Sequence, residues 1–268
     1  MNTLNIQEKN RTLAQILVDL DLNLCSNPRG TDKGDYKSYV SEFYESEFSK
    51  RRLKNNRLIE IGVRSGASLA LWANYFLSIE IIGVDIVEVG SPVGPVKEYL
   101  DYPSVQFCCK DAYSQDVADT FKGDFSILID DGPHSISSQI RFLELYLPKL
   151  AEDGVLIIED ILRSYRDCYK LMKALPKGKK YLFEMYDFDS IKQDGGFLFV
   201  VRHNKSGKRY LGRKIFLMLR TLSEWMKVFY RRVKRRDFSF QDRRSDILVN
   251  KWRSTRSVFI PSCFILLC

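Results

Sequence analysis

The sequence predicts an α/β fold: a doubly wound, mostly parallel sheet closed by an antiparallel hairpin. Short apolar runs rich in β-branched residues alternate with amphipathic segments, as in repeated β-α units. Such runs are typical of buried parallel strands, which need crossover connections. The last two runs, residues 180–188 and 196–202, flank the turn sequence Asp194-Gly195-Gly196 and predict the hairpin.

Two helices are predicted ahead of the first strand, within residues 1–56. Apolar residues recur at helical spacing over residues 5–24 and 36–50. Residues 25–35 between them have the composition of a loop. The apolar positions are Ile6, Leu13, Ile16, Leu17, Leu20 and Leu24, then Tyr36, Tyr39, Phe43, Tyr44 and Phe48.

The alternation over residues 57–203 predicts the core of the fold. Hydrophobic runs give strands at 57–62, 80–85, 104–109, 124–130 and 154–159. Between them, helices are predicted at 66–78, 95–101, 136–149 and 164–175.

A glycine-containing loop follows the first predicted strand. It reads Glu60-x-Gly62-x-x-x-Gly66, and the next strand ends in Asp85. An acid about twenty residues after such a loop can accept hydrogen bonds from ribose hydroxyls. The loop lacks the Gly-x-Gly-x-x-Gly spacing that admits a pyrophosphate, so a cofactor with a ribose and no phosphates is favoured over a dinucleotide. Tight strand–helix packing is the alternative reason for the glycines.

Two acidic clusters follow later strands. Asp130-Asp131-Gly132-Pro133-His134 comes directly after residues 125–129, and Glu159-Asp160 comes directly after residues 155–158. At the carboxyl edge of an α/β sheet, where open sheets bind ligands, these side chains would stand together. Acidic side chains grouped with one of only two histidines have the composition of a hard-cation site with a general base beside it.

Composition narrows the classes of protein to consider. An apolar content of 45% over 268 residues is sufficient for one large domain. Six cysteines without a Cys-x-x-Cys pair or a secretory signal predict reduced thiols and a cytoplasmic location. Residues 208–268 carry 16 basic and 4 acidic side chains, whereas the rest carries 26 and 30. A net negative body argues against a nucleic-acid partner.

The basic residues concentrate in a predicted C-terminal helical extension, residues 204–268. A basic amphipathic helix is typical of a segment that binds an anionic membrane surface, and we expect residues 208–236 to do so. A helix that packs on its own domain with a solvated basic face is the alternative. The apolar stripe comprises Ile215, Met218, Leu219, Leu222, Trp225, Met226 and Phe229.

Together these motifs resemble the class I S-adenosylmethionine-dependent methyltransferases. Within that class they look like the metal-dependent sugar O-methyltransferases of the macrocin and mycinamicin type and their cephalosporin hydroxylase-like relatives. The resemblance covers roughly residues 28–203 and implies a Rossmann-like core over residues 57–203. Two residues depart from the family's pattern: Arg64 stands in the middle of the usual Glu-x-Gly-x-Gly-x-Gly loop, and Pro133 replaces a small polar residue. The matching pieces are Thr31-Asp32-Lys33-Gly34, Leu58-Ile59-Glu60-Ile61-Gly62, Gly66-Ala67-Ser68-Leu69, Gly83-Val84-Asp85, the Asp130 to His134 cluster and Gly154 to Asp160.

The resemblance also implies a role for each motif residue. A divalent cation, Mg²⁺ or Mn²⁺, would lie on Asp131, Glu159 and Asp160, and His134 would take the proton of the accepting hydroxyl. The loop at Thr31 would fold over the S-adenosylmethionine. The implied cofactor-binding residues are Thr31, Lys33, Glu60, Gly62, Gly66, Ser68, Asp85, Asp111 and Asp130. Asp111 and Asp130 have structural alternatives, since each is placed to cap the turn that follows it.

The resulting expectation is an O-methyltransferase acting on a hydroxyl of a sugar or glycosylated acceptor, cytoplasmic and peripheral at the inner face of the membrane. A metal-dependent hydrolase or hydroxylase with the same acids is one alternative, although an iron hydroxylase usually needs two histidines and one carboxylate. A non-catalytic S-adenosylmethionine-binding module tethered by the basic tail is the other. The sequence determines neither the acceptor nor the oligomeric state.

Overall fold

One seven-stranded sheet organises the larger part of the chain. The computed structural model describes residues 11–161, 164–178, 180–188, 191, 195–205, 219–223 and 226. The strands are β1 Asn55–Ile61, β2 Ser78–Asp85, β3 Val105–Cys109, β4 Phe125–Asp130, β5 Leu150–Ile158, β6 Tyr181–Asp187 and β7 Phe197–His203. Their order is β3-β2-β1-β4-β5-β7-β6. Strands β1 to β5 pair in parallel, and β7 pairs antiparallel with both β5 and β6. The predicted fold class is confirmed.

Helices cover both faces of this sheet. They are α1 Leu13–Asp19, α2 Glu45–Ser49, α3 Ala67–Tyr75, α4 Lys97–Leu100, α5 Gln115–Thr120, α6 Ile136–Tyr146 and α7 Ser164–Ala174. A π-helical turn, Val40–Tyr44, leads into α2, and a 3₁₀ turn, Leu147–Lys149, follows α6. Because side chains alternate along a strand, Leu58 lies in the core with α1 and α3, while Ile59 lies in the core with α6 and α7.

The largest departures from prediction lie before β1. The helix predicted over residues 5–24 is wrong beyond Leu20, because Asp21 has a φ of 48° and the chain then pairs with residue 31. Thr31 donates its N–H to the Leu22 carbonyl at 2.7 Å. The helix predicted from residue 36 begins only at Val40, since Ser38 has a φ of 63°. The short helix α5 was not predicted.

The chain divides into two units, residues 1–217 and 218–268. In the second unit the structure describes residues 219–223 and 226, all helical. The remaining residues of the predicted apolar stripe and the basic run at 231–236 lie outside the described residues, as do Ile6 and Asp194. Membrane binding by residues 208–236 and the domain boundary at residue 204 therefore stay predictions. In the described part of the chain, no helix has the length and apolarity to cross a membrane.

The register of the parallel strands aligns four strand ends at one edge of the sheet. Ile61 lies beside Val84 on one side and Asp130 on the other, and Asp130 lies beside Ile158. The parallel hydrogen-bonding pattern between these strands continues for one residue beyond each strand end. The N–H groups of Gly62, Asp131 and Glu159 donate to the carbonyls of Val84, Ile61 and Asp130 at 2.9, 2.8 and 2.9 Å. The exits of β1, β2, β4 and β5 thus carry Gly62, Asp85, Asp131 and Glu159 side by side.

Gly62 lies where the backbone leaving β4 passes the backbone leaving β1. Its φ is 81°, and a Cβ there would lie 2.1 Å from the carbonyl oxygen of Asp131. No side chain fits between two main chains at that distance, so the glycine is required by the close approach as well as by its dihedral angle.

We expect Gly62→Ala to lower the free energy of unfolding by about 3 kcal/mol or more, because it combines backbone strain with displacement of the β4 exit. Gly90→Ala is the matched control, since Gly90 has a φ of 80° and nothing within 4 Å of the added Cβ. That variant should lose only about 1–2 kcal/mol. Thermal or urea unfolding measures both, and equal losses would contradict the close-approach explanation.

Candidate active site

A cavity of about 760 Å³ lies at the aligned strand ends. Its walls are the glycine loop and the first residues of α3, the exits of β2 and β3, residues 131–134 after β4, and residues 30–32 of the N-terminal loop. This size suits a small-molecule ligand. The cavity therefore occupies the position where open α/β sheets bind ligands.

Asp85 holds the glycine loop in shape. One of its carboxylate oxygens, Oδ2, accepts the N–H groups of Val63 at 2.8 Å and Arg64 at 3.0 Å. The other, Oδ1, accepts the N–H of Val87 at 3.0 Å. Asp85 also lines the cavity. A carboxylate has about four acceptor positions, so about one remains to accept a hydrogen bond from a ligand.

A buried ammonium lies among the acids of the site. Lys33 Nζ is 2.5 Å from Asp131 Oδ2, 2.9 Å from Glu159 Oε2 and 3.7 Å from Glu60 Oε1. Burial lowers the pKa of Lys33, but these carboxylates outweigh it and hold that pKa well above its ordinary value. Lys33 is therefore charged at neutral pH. Burial raises the pKa of Glu159 to about 7, against the opposing effect of Lys33.

The segment before α2 supplies further partners for Glu159 and Asp160. The Tyr44 hydroxyl donates to Glu159 Oε1, and Lys37 Nζ donates to Asp160 Oδ2. The Tyr39 hydroxyl lies 2.7 Å from Asp160 Oδ1 and 2.6 Å from the Gly195 carbonyl. In an α-helix, residues five apart differ in direction by about 140°. The π-helical turn reduces that divergence, so that Tyr39 and Tyr44 both reach carboxylates of the adjacent residues Glu159 and Asp160.

Asp131, His134 and Asp160 form a group that could hold a metal ion. One ligand atom from each lies within 4.8 Å of the other two. Burial lowers the pKa of His134, although Asp160 opposes it, so the imidazole is neutral at pH 7. His134 and Asp160 each have a φ of 53°, a strained conformation of the kind that clusters at functional sites. Glu159 is outside this group because its two oxygens face Lys33 and Tyr44.

The structure brings most of the predicted site residues to one place. Those that line the cavity are Thr31, Gly62, Ser68, Asp85, Asp111, Asp131 and His134. Gly66 is the N-cap of α3, with a φ of 89°. Lys33, Glu60, Asp130, Glu159 and Asp160 are buried and are not part of the cavity wall. The side chain of Glu60 accepts the indole N–H of Trp72 at 2.7 Å. Individual ligand contacts stay predictions.

Two predicted cofactor residues make local contacts. Asp111 Oδ1 accepts the N–H of Tyr113 at 2.9 Å. This is the turn-capping contact that was the structural alternative to a cofactor contact for Asp111. Asp130 Oδ1 accepts the Tyr113 hydroxyl at 2.5 Å and the N–H of Gly132 at 3.4 Å. Its Oδ2 is buried without a hydrogen-bond partner among the described residues, and burial raises the pKa of Asp130 to about 6. Tyr113, which fixes Asp130, also lines the cavity.

Sequence reasoning missed the side chains that support the acids. Lys37, Tyr39, Tyr44 and Tyr113 each bond a carboxylate of the site. Tyr39 and Tyr44 were interpreted only as apolar positions of a helix. Apolar periodicity records which face of a segment is buried, and it carries no signal for the partner of a phenolic hydroxyl.

Comparison with known proteins agrees with the geometry. Residues 59–161 match a family model described as "Methyltransferase domain". The matched segment runs from β1 through the exit of β5 and includes the glycine loop, Asp85 and both acidic clusters. Residues 59–161 are therefore similar in sequence to a methyltransferase domain.

Curated relatives of this methyltransferase domain are sugar O-methyltransferases. The 8-demethyl-8-alpha-L-rhamnosyl tetracenomycin-C 2'-O-methyltransferase of Streptomyces olivaceus is 30% identical over 147 residues, 51% of this chain and 36% of that protein. The mycinamicin VI 2''-O-methyltransferase of Micromonospora griseorubida is 28% identical over 157 residues, 54% of this chain and 37% of that protein. The aligned part of the chain thus spans little more than a third of the length of these relatives.

A solved structure shares the fold of the methyltransferase domain. The MycE methyltransferase from the mycinamycin biosynthetic pathway, in complex with Mg and SAH, superposes with a TM-score of 0.54 at 18% identity. The superposition covers 76% of this chain and 58% of MycE. At this identity the likeness establishes the fold.

We expect Lys33→Met to lower the free energy of unfolding by about 3–5 kcal/mol, because it leaves buried carboxylates without their cation. The loss should be larger at pH 8 than at pH 5. Burial already holds the folded-state pKa values of these acids above their unfolded values, and removing Lys33 raises them further. The added penalty is therefore present at high pH and fades as the acids bind protons.

Lys54→Met is the matched control for that variant. Lys54 Nζ lies 2.9 Å from Asp153 Oδ2, but the side chains are 57% and 50% exposed. An exposed pair contributes at most about 1 kcal/mol. Urea unfolding at pH 5 and pH 8 measures the free energy of unfolding of both variants. Similar losses for both would show that the buried ion pairs of Lys33 contribute no more to stability than an exposed pair does.

Proposed function

We propose that this chain is an S-adenosylmethionine-dependent O-methyltransferase that uses a divalent cation and methylates a hydroxyl of a sugar or glycosylated acceptor. One observation carries the proposal: Asp131 and His134 line the same cavity as the glycine loop and Asp85. A methyl donor and a cation-bound hydroxyl must meet within one cavity for transfer to occur. The fold and the methyltransferase domain support the reaction class.

The cofactor half of the cavity fits S-adenosylmethionine. Asp85 stands at the exit of β2 with acceptor capacity for a ribose hydroxyl. The glycine loop passes directly into α3 without the spacing that accommodates a pyrophosphate. Exposed apolar side chains at Ile86 and Val93 offer a surface for a base. Relatives of this fold are known with the demethylated cofactor, as in MycE with Mg and SAH.

The acidic half fits a divalent cation by charge and by donor type. Five acids, Asp32, Glu60, Asp131, Glu159 and Asp160, stand against two lysines, Lys33 and Lys37. Burial raises the pKa values of Glu60, Asp131 and Glu159, and a bound divalent cation would favour their charged forms. Carboxylate oxygens are the ligands preferred by Mg²⁺ and Mn²⁺. Asp131 and Asp160 would hold the cation, with Glu159 as the third predicted ligand through a change of partner from Lys33.

The chain's own residues would position the acceptor and move its proton. When bound, the cofactor supplies an electrophilic methyl group and the cation lowers the pKa of a coordinated hydroxyl. His134, neutral at pH 7 and partly exposed to the cavity, would accept the proton from that hydroxyl at Nε2. The nearby Asp160, 3.6 Å from Nε2, would stabilise the resulting imidazolium. Alignment of the two reactants would contribute most of the rate.

The acceptor class comes from the relatives. Their names specify the 2'- or 2''-hydroxyl of a sugar on tetracenomycin or mycinamicin. A hydroxyl beside a second sugar oxygen can bind a cation through two oxygens, which is consistent with an acid-rich site.

The alternatives fit the geometry less well. An iron hydroxylase needs two histidines, but of the two in the chain only His134 lies at the acidic group. The Nε2 atom of His203 lies 3.1 Å from the Leu150 carbonyl, at the opposite end of β5. A binding module without catalysis would need no base in the cavity, and the strained backbone at His134 would then have no purpose.

Asp85→Asn tests the cofactor. The variant should bind S-adenosylhomocysteine about 10- to 100-fold more weakly, because charge-assisted contacts to ribose become neutral ones. Isothermal titration calorimetry measures the affinity, and thermal unfolding checks that the glycine loop is intact. Wild-type protein that binds NAD and no S-adenosylhomocysteine would exclude the proposed function.

Removal of metal tests the acidic half. EDTA should abolish methyl transfer from labelled S-adenosylmethionine to a panel of glycosides, and Mg²⁺ or Mn²⁺ should restore it. Asp131→Asn and Asp160→Asn should each weaken Mn²⁺ binding by about tenfold or more, while S-adenosylhomocysteine still binds. Electron paramagnetic resonance measures the Mn²⁺ affinity. His134→Ala should retain Mn²⁺ and cut the rate by roughly 10²–10⁴. Loss of Mn²⁺ from His134→Ala would make the histidine a ligand, and full activity in EDTA would exclude the metal mechanism.

A further inference from the structure

Arg64 is a basic side chain on the cavity wall that the proposed chemistry does not use. It lines the cavity and is exposed. Among the residues that the structure describes, the guanidinium of Arg64 has no hydrogen bond, ion pair or ring contact. Eight other arginines each have one through the guanidinium: Arg11, Arg29, Arg51, Arg52, Arg57, Arg141, Arg166 and Arg202.

The backbone at Arg64 is strained. Its φ is 48°, in the left-handed region that L side chains rarely adopt and that glycine adopts freely. The hydrogen bond from its N–H to Asp85 Oδ2, at 3.0 Å, fixes this conformation. A glycine at this position would relieve the strain, so the arginine side chain is retained at a cost in stability. Strain of this kind at a cavity wall points to a role for the side chain.

The neighbouring helix end has the same polarity as Arg64. Helix α3 begins three residues later. Its N-cap residue, Gly66, supplies no side-chain acceptor, and among the described residues the one side-chain hydrogen bond to an N–H of its first turn is that of Ala67 N–H to Ser65 Oγ at 3.5 Å. Its first residues, Ala67 and Ser68, line the cavity. Free N–H groups and the positive end of the helix dipole attract an anion. The opposite wall carries the carboxylates of Asp32 and Asp131. The cavity therefore has a positive pole at Arg64 and α3 and a negative pole at the acids.

We propose that Arg64, together with the N-terminus of α3, binds the carboxylate of the amino-acid portion of the cofactor. This inference rests on the proposed function, because it takes S-adenosylmethionine as the ligand. The carboxylate is the one anionic group of that molecule. It is therefore the group of the cofactor that the Arg64 guanidinium and the positive end of α3 would bind. Arg64 is then a determinant of cofactor affinity that leaves the nucleoside contacts to Asp85.

Two ligands that differ by the amino-acid portion test the proposal. S-adenosylhomocysteine has the carboxylate, and 5′-methylthioadenosine lacks it while keeping the nucleoside and sulfur. Calorimetry with the full-length wild type, Arg64→Gly and Arg64→Lys gives the affinity for each. Arg64→Gly should weaken S-adenosylhomocysteine about tenfold, as expected for loss of one partly exposed charged hydrogen bond, and change 5′-methylthioadenosine less than about twofold. Arg64→Lys should lie between wild type and Arg64→Gly.

Lys110→Ala is the matched control. Lys110 is also basic, exposed and on the cavity wall, but it follows β3 at the edge of the sheet, away from α3. This variant should leave the ratio of the two affinities unchanged. The thermal midpoint of ligand-free Arg64→Gly should equal or exceed that of the wild type, because glycine relieves the strain, so weaker binding would not reflect unfolding.

The outcomes separate the inference from the proposed function. Equal loss of both ligands in Arg64→Gly would place the side chain against the nucleoside and overturn the inference, as would unchanged binding of S-adenosylhomocysteine. In either case wild-type binding of S-adenosylhomocysteine would still support the proposed function. Wild-type protein that binds neither ligand would overturn both.

Discussion

The ion cluster around Lys33 is the interaction on which the rest of the site depends. Parallel register forces Asp131 and Glu159 to leave neighbouring strands side by side, and Glu60 lies in β1 beside them. Three carboxylates brought together in a buried place repel one another and lose hydration. The compensating charge comes from outside the sheet, on the loop between α1 and α2. Lys33 therefore compensates the charge of the acids and attaches the N-terminal segment to the sheet. Three other side chains of that segment, Lys37, Tyr39 and Tyr44, bond Glu159 or Asp160.

The sequence was sufficient to predict the sheet edge and insufficient to predict what covers it. Strand ends are marked by apolar runs that stop at an acid or a glycine, so Gly62, Asp85, Asp131 and Glu159 could be placed together from periodicity and parallel topology alone. The segment before β1 could not be placed in this way. The spacing of its aromatic residues predicted a regular α-helix. The structure has a π-helical turn there instead, and Tyr39 and Tyr44 at that turn donate hydrogen bonds to carboxylates about 120 residues away in sequence. Long-range polar pairing of this kind has no local signature. For the same reason the sequence did not predict that Lys33 lies among Glu60, Asp131 and Glu159.

Backbone strain in the described residues concentrates at the site. Five non-glycine residues have positive φ, and three of them, Arg64, His134 and Asp160, belong to the cavity wall or to the acidic group. Each such residue costs of order 1–3 kcal/mol, so they persist only where the surroundings fix them. Asp85 fixes Arg64 through its N–H, and the side chain of Asp160 is held by Lys37 and Tyr39. The same hydrogen bonds that shape the site thus offset the strain that it introduces.

The two halves of the cavity are joined by main chain. The cofactor half is built from β1, β2 and α3, whereas the wall of the acidic half carries Asp32, Asp131 and His134. Lys33, Lys37 and the acids at the exit of β5 lie buried behind that wall. The separation of the two halves is set where the backbone of Asp131 passes Gly62, a contact with no room for a Cβ. Under the proposed function, the distance between a methyl donor on one half and a hydroxyl on the other would be set by this backbone contact. Substitutions of side chains around the acidic half would then alter which acceptor fits without moving the cofactor, whereas a substitution at Gly62 would disturb both halves.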